Sequence, residues 1–80
     1  VDKQLIPAKD LRTAAEAIDG VRSAYTIRSR GSQYHCFAEL TISVDKNVSV
    51  EVAHRTADAV ETELRHRFGL HEITVHVEPC

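Results

Sequence analysis

The alternation of side chains in residues 34–44, YHCFAELTISV, constrains the fold of this chain more than any other feature. Apolar or small side chains occupy the even positions and mostly polar ones the odd positions, which is typical of a strand with one buried face. The C-terminal residues 73–80, ITVHVEPC, repeat the pattern. We therefore predict strands over residues 34–44 and 72–77, and we expect Pro79 to end the second ladder because proline has no N–H to donate.

Two segments follow the helical period instead. Residues 8–18 carry an apolar stripe of the i, i+3, i+4, i+7 kind, and Asp19-Gly20 ends the segment. Ser49 is a good N-cap for a second helix that runs to about Phe68 and is closed by Gly69. The stripe of the second helix consists of Ala53, Ala57, Val60, Leu64 and Phe68.

Residues 21–30 are rich in β-branched and aromatic side chains and predict a further strand. A turn at residues 31–33 would join it to residues 34–44 in an antiparallel hairpin. The predicted order is helix, strand, strand, helix, strand. This order predicts an α+β two-layer sandwich of the open ferredoxin-like kind, with a three-stranded sheet and two helices on one face.

The composition limits the classes of function. Eighty residues make one domain, 1–80, whose stability is marginal alone, and a metal, disulfides or a partner chain often supply the rest in domains of this size. A net charge of −2 without a basic run argues against nucleic acid. No stretch approaches the roughly 20 apolar residues of a membrane helix. The two cysteines do not form a disulfide framework and suit a reducing compartment. Since the chain has no methionine and begins at Val1, we expect it to be a piece of a longer protein.

The strand pattern places a histidine and a carboxylate side by side. His76 and Glu78 lie on the same face of the last strand, roughly 7 Å apart, and both side chains are ordinary ligands for zinc and similar divalent ions. Glu39 and His35 share the polar face of residues 34–44 and are further candidates. The alternative interpretation is a solvated strand face whose acids and histidines pair with neighbours.

Other candidates also have two interpretations. His54, four residues before Asp58 on the second helix, is either a metal ligand or one half of a surface pair. Cys80 could reach a metal at the end of the last strand or belong to a frayed terminus. Cys36 is expected in the core. His66 and His71 flank the end of the second helix, where a cation suits the helix dipole, and we predict a capping role for both.

Three segments in order point to one family. SVDKNVSVEVAH (43–54), TADAVETELRHRF (56–68) and ITVHVEP (73–79) resemble the cytoplasmic C-terminal domain of the cation diffusion facilitator transporters. The upstream segment IDGVRSAYTIRSR also fits, and the resemblance covers nearly the whole chain. It implies a metallochaperone-like fold that forms a homodimer on the cytoplasmic face of a membrane, attached to the membrane domain of the same chain.

The resemblance also implies a function. These transporters export divalent cations, most often zinc, in exchange for protons, and regulatory cations bound to this domain draw the two arms of the dimer together. Carried over by position, His54, His76 and Glu78 are ligands, with Glu39 as an acidic ligand on the second strand. Tyr25 and Thr41 stand where zinc exporters have histidines. The set here is more similar to that of magnetosome-associated iron transporters, which leaves iron or manganese open beside zinc.

Two rival functions remain from the sequence. A dimerisation module without a metal role would use the Phe37-bearing sheet face for protein contact alone. An enzyme is disfavoured, because the chain offers no nucleophile with a positioned base, no glycine-rich phosphate loop and no paired acids at working spacing. A free-standing metal chaperone would usually present a CxxC motif, which this chain lacks.

Overall fold

The computed structural model describes residues 6–32 and 34–80, and its elements follow the predicted order. They are α1 (Ala8–Glu16), β1 (Ser23–Gly31), β2 (Cys36–Val44), α2 (Val50–Phe68) and β3 (Glu72–Pro79). Gln33 of the predicted turn lies outside the described residues. The α+β class and the three-stranded sheet are confirmed.

The sheet has the strand order β1-β2-β3, so β2 lies in the centre. β1 and β2 pair antiparallel across the predicted hairpin, whereas β2 and β3 pair parallel. Parallel neighbours need a crossover connection, and α2 provides it. β2 therefore has one antiparallel and one parallel neighbour, and the sheet is mixed.

Both helices cover one face of the sheet, which we call the inner face. The even-numbered residues of β2 lie on it, and the alternation of the sequence thus separates core from surface as predicted. Leu11 from α1 and Leu64 from α2 are fully buried against Leu40 and Ile42 of β2. The buried apolar residues are Leu11, Ala14, Ala15, Ala24, Ala38, Leu40, Ile42, Val44, Val60, Leu64, Leu70 and Ile73.

The helix ends agree with the capping signals, with one shift. The Ser49 Oγ accepts a hydrogen bond from the Val52 N–H at 3.0 Å, and Gly69 takes the left-handed conformation at φ 65°. α1 ends at Glu16 instead of the predicted residue 18. The Ile18 N–H donates to the Ala15 carbonyl at 3.1 Å, and this i→i+3 bond tightens the last turn while Ile18 still packs on the core.

The strand ends differ from the prediction at four places, since β1 also begins at Ser23 instead of residue 21 and β3 ends at Pro79 instead of Val77. β1 extends to Gly31 and β2 begins at Cys36, because Ser32 and His35 exchange backbone hydrogen bonds in the turn. A side chain at Gly31 would meet the His35 carbonyl oxygen at 1.9 Å, so this close turn requires glycine.

β3 extends two residues beyond its predicted end at Val77, and the ladder ends at Pro79 as expected. Pro79 pairs with Val44, and the Cys80 N–H donates to the Val44 carbonyl at 2.7 Å. β3 is an edge strand, so the proline nitrogen can face the open side without losing a bond to β2.

A β-bulge in β1 is the main irregularity of the sheet. Tyr25 pairs with Thr41 and Arg28 with Glu39, so Thr26 and Ile27 together oppose one residue of β2. Thr26 has φ 53°, an unfavourable conformation for a β-branched residue. The extra residue keeps Ile27 packed against the core and turns Arg28 to the opposite face.

In the described part of the chain no helix is both long and apolar enough to cross a membrane.

Candidate metal centre on the outer face of the sheet

The face of the sheet turned away from the helices, which we call the outer face, carries most of the predicted ligands. Thr41 of β2 pairs with His76 of β3, and the next pair along is Glu39 with Thr74. Glu39 and His76 are therefore diagonal neighbours on adjacent strands, within reach of each other. The structure thus brings together two candidates that lie far apart in the sequence.

Glu39 and His76 form the centre of this face. The His76 Nε2 lies 2.9 Å from the Glu39 Oε2, and about half of each side chain is exposed (54% and 41%). Arg28 stands opposite Glu39 on β1, with its Nε 3.5 Å from the Glu39 Oε1. The hydrogen bond with His76, and secondarily the charges of Arg28 and His76, lower the pKa of Glu39. Glu39 is therefore held as a carboxylate, the form that binds cations.

Tyr25 and Glu78 form a second pair beside the first. Glu78 pairs with Ser43 on the backbone, and the Tyr25 hydroxyl donates a hydrogen bond to the Glu78 carboxylate. This bond raises the pKa of Tyr25, with smaller contributions from burial and from the charges of Glu78 and Cys80. Cys80 follows β3 directly in the chain.

The donor chemistry of Glu39 and His76 fits a divalent cation. The His76 imidazole nitrogen and the Glu39 carboxylate oxygen lie 2.9 Å apart, and a cation could be bound by both atoms in place of their hydrogen bond. Among residues 6–32 and 34–80, no three His, Cys, Asp or Glu side chains converge on one point. Within these residues one chain would therefore offer only part of a coordination shell, and further ligands would have to come from water or a second chain.

The other candidates lie elsewhere. His54 is on α2, exposed, with its Nε2 3.7 Å from the Asp58 Oδ2, which matches the surface-pair interpretation. His35 lies at the hairpin end, where it stacks on Phe37 with ring centroids 5.6 Å apart and contacts His71 at 4.8 Å. Hence neither His54 nor His35 joins the pair of Glu39 and His76 within the chain.

His71 does not cap α2 as predicted. It lies between α2 and β3 and is hydrogen-bonded to the first residue of β2. The His71 backbone N–H donates to the Cys36 carbonyl at 2.9 Å, and the His71 Nδ1 accepts from the Cys36 N–H at 3.1 Å. His66 lies in the last turn of α2 beside Arg65 and Arg67, where positive charge suits the helix dipole. Cys36 is half-buried against the core, close to its expected place.

Sequence reasoning missed Arg28 and the partner of Tyr25. The signal for Arg28 was available, because the apolar positions Ala24 and Ile27 are three apart where a regular strand would space them by two. That break in alternation indicates a bulge, after which Arg28 shares a face with Tyr25. The bond between Tyr25 and Glu78 joins residues 53 positions apart and has no local signal.

A family model and several known proteins match this chain, and all of them are cation efflux proteins or transporters. Residues 7–80 match the family model ZT_dimer, described as the cytoplasmic domain of cation efflux proteins. The cation-efflux pump FieF of Pectobacterium atrosepticum is 32% identical over 77 residues, which cover 92% of this chain and 26% of FieF. The uncharacterized transporter YdbO of Bacillus subtilis is 32% identical over 76 residues, covering 89% and 26%. The chain thus spans about a quarter of the length of these relatives.

Solved structures agree with the fold. The C-terminal domain of MamM superimposes with a TM-score of 0.83 at 27% identity, covering 90% of this chain and 92% of that chain. The cadmium form of a variant of that domain gives 0.82 at 29% identity, covering 90% and 91%. These matches confirm the resemblance to the cation diffusion facilitators and the metallochaperone-like fold. The chain belongs to the family of cytoplasmic domains of cation efflux proteins.

Proposed function

We propose that this chain is the regulatory and dimerisation domain of a proton-coupled divalent cation exporter, and that a cation bound at Glu39 and His76 activates transport. The observation that carries the proposal is the 2.9 Å contact between these two side chains on an exposed sheet face. The domain would lie at the cytoplasmic side of a membrane, such as an inner or magnetosome membrane, attached to the membrane domain of the same chain.

The ligand types favour zinc, iron or manganese. Imidazole suits zinc and iron, and carboxylate oxygen extends the range to manganese. Zinc is the first choice because it accepts both ligands readily in a tetrahedral shell. Variants of the MamM domain, a structural neighbour of this chain, exist in cadmium, nickel, manganese and copper forms. These metal forms of a structural neighbour support the binding of a divalent cation by this chain, but they do not favour one metal over another.

A second copy of the chain would complete the coordination shell. Two outer faces related by a two-fold axis would present two Glu39 and two His76 side chains to each other, which makes four donors. The half-buried Phe37 on the same face would add apolar contact. Glu78 and Cys80, near Tyr25, would stand at the margin of this arrangement as further donors.

His54 and His35 have separate roles in this proposal. They would bind a cation only as peripheral ligands, because His54 lies on the helical layer and His35 at the hairpin end. Their participation would need a ligand contributed by another chain or by water.

Activation would follow from a shift between two arrangements of the dimer. A cation that binds the closed arrangement more tightly than the open one shifts the population by its difference in affinity and by no more. Roughly 5.5 kcal/mol of difference would move a dimer from 1% to 99% closed. Because protonated imidazole cannot bind a metal, activation would weaken at acidic pH.

Calorimetric titration of the domain with zinc, manganese and anaerobic ferrous iron at neutral pH tests the proposal. His76→Ala should lower the affinity for the bound cation at least about tenfold, and the domain should stay folded with a loss of stability below about 1 kcal/mol, because the side chain and its pair with Glu39 are exposed. His66→Ala, an exposed histidine on α2, is the matched control and should bind as the unmodified protein does. Equal affinity in the His76 and His66 variants would refute the assignment of the site.

A metal-independent dimer scaffold is the second candidate. It is favoured by the hydrogen bond and ion pair that Glu39 already makes with His76 and Arg28, which leave this carboxylate satisfied without a cation. Sedimentation of the domain with zinc and with a chelator separates the two functions. Identical dimer affinity and compactness in both conditions would favour the scaffold, whereas a tighter and more compact dimer with zinc would favour the sensor.

A further inference from the structure

Glu39 has neighbours on both of its carboxylate oxygens. The Oε2 is 2.9 Å from His76, and the Oε1 is 3.5 Å from the Nε of Arg28. Histidine can give up its proton to make room for a cation, but arginine keeps its charge at every physiological pH. A cation that binds Glu39 therefore meets a permanent positive charge already at that carboxylate.

Arg28 reaches Glu39 only because β1 carries the bulge. In a regular strand, residue 28 would face away from the side on which Tyr25 lies, since successive side chains alternate. The extra residue at Thr26 places Arg28 directly opposite Glu39. The bulge uses a β-branched residue at φ 53°, a conformation that persists only when the surroundings hold it.

Contacts next to the bulge hold it in place. The Ala24 N–H donates to the Glu16 Oε2 at 2.9 Å, which ties the strand to the end of α1, and Ile27 packs against the core. The position of Arg28 on the outer face is thus a consequence of the fold.

We propose that Arg28 is a built-in competitor of the regulatory cation, which occupies Glu39 in the cation-free domain and must be displaced before the cation is bound. This inference rests on the proposed function of Glu39 and His76. Arg28 thereby sets the free cation concentration at which the domain responds. An open surface cleft of roughly 350 Å³, lined by Arg28, Arg30, Phe37 and Glu39 among others, gives the displaced guanidinium room to move.

The size of the effect follows from exposure. The Arg28 side chain is 63% exposed, and exposed ion pairs are weak and sensitive to salt. We therefore expect a change of about 1.5- to fivefold in cation affinity, the range that a single exposed pair supports. A larger change would need burial that this pair does not have.

Arg30 offers a matched control for the loss of charge. It lies two residues further along β1, on the same face as Arg28, and pairs with Phe37 on β2. In the described part of the chain it makes no salt bridge. Arg30→Gln thus removes an equal charge from the outer face without releasing Glu39.

The test is calorimetric zinc titration of the unmodified domain, Arg28→Gln, Arg30→Gln and His76→Ala, each at about 0.01 M and 1 M salt. Arg28→Gln should bind zinc about 1.5- to fivefold more tightly than Arg30→Gln at low salt, and this difference in affinity should narrow at high salt. Arg28→Met, which keeps the apolar stem, should behave like Arg28→Gln.

Three results would overturn the inference, and they differ from failure of the proposed function. Equal affinity in Arg28→Gln and Arg30→Gln would mean that only general charge matters. Weaker binding by Arg28→Gln would mean that Arg28 orients Glu39 for the cation. A difference in zinc affinity between Arg28→Gln and Arg30→Gln that does not change with salt would exclude an exposed ion pair as its cause. If the unmodified domain shows no saturable binding, the proposed function fails, and the competitor role fails with it.

Discussion

The two faces of β2 differ more than any other two regions of this molecule. On the inner face, Ala38, Leu40 and Ile42 are buried and belong to the hydrophobic core formed with the two helices. On the outer face, Glu39 meets charged and polar partners from β1 and β3. Residues one position apart on a strand point to opposite faces of the sheet. In β2 the residues that stabilise the core are therefore different from the residues that are candidates for binding a cation. Substitutions on the two faces should therefore have separable effects.

The largest expected effect is on the inner face. Leu40→Ala should lower the free energy of unfolding by about 3 kcal/mol, because a fully buried leucine loses its packing and leaves a cavity. Thr74→Ala, on the exposed outer face of β3, is the control and should cost less than about 1 kcal/mol. Urea unfolding measures both. Similar losses in the two variants would contradict the division between the faces.

The acid stability of the domain should depend on Glu39. Its pKa lies below the usual 4.5 in the folded chain, so its contribution is fully present above that pH and is lost as the pH falls through the lowered value. Glu39→Gln should therefore lose less stability than the unmodified protein between pH 6 and pH 3, as followed by unfolding curves. Glu72→Gln, another exposed glutamate of the sheet, is the comparison. An unchanged pH profile in Glu39→Gln would contradict the pairing with His76.

The smallest expected effect lies at the bulge between the faces. Thr26→Gly should raise the free energy of unfolding by roughly 0.5 kcal/mol, because relief of the left-handed strain outweighs the greater entropy of glycine in the unfolded chain. Thermal unfolding measures the change, and Thr13→Gly, within α1, should destabilise instead. A loss of stability in Thr26→Gly would argue against the strained conformation.

The inner face could be predicted from the sequence because its signal is local. Periods of two in residues 34–44 and of 3.6 in residues 50–68 gave the elements, and Ser49 and Gly69 gave the ends of α2. The outer face depends on register between strands. That His76 meets Glu39 follows from the parallel pairing of β2 and β3, which no local pattern contains.

Two further contacts show why the remainder of the site was missed. Arg28 depends on a bulge that only the three-residue spacing of Ala24 and Ile27 indicated. His71 was interpreted as a helix cap from its position in the chain, but its ring bonds to the backbone of Cys36, 35 residues away. Non-local hydrogen bonds of this kind depend on the assembled sheet, and a periodic pattern does not predict them.

Histidine nitrogen spectra during a zinc titration test the central claim most directly. With nitrogen-15 in the imidazoles, the ring signals of His76 should shift or broaden at the lowest zinc concentrations, ahead of those of His54 and His66, because His76 alone among the three faces Glu39. We expect this order in the unmodified domain and its loss in Glu39→Gln. A His76 signal that stays in place while zinc binds elsewhere would contradict a cation site on the outer face.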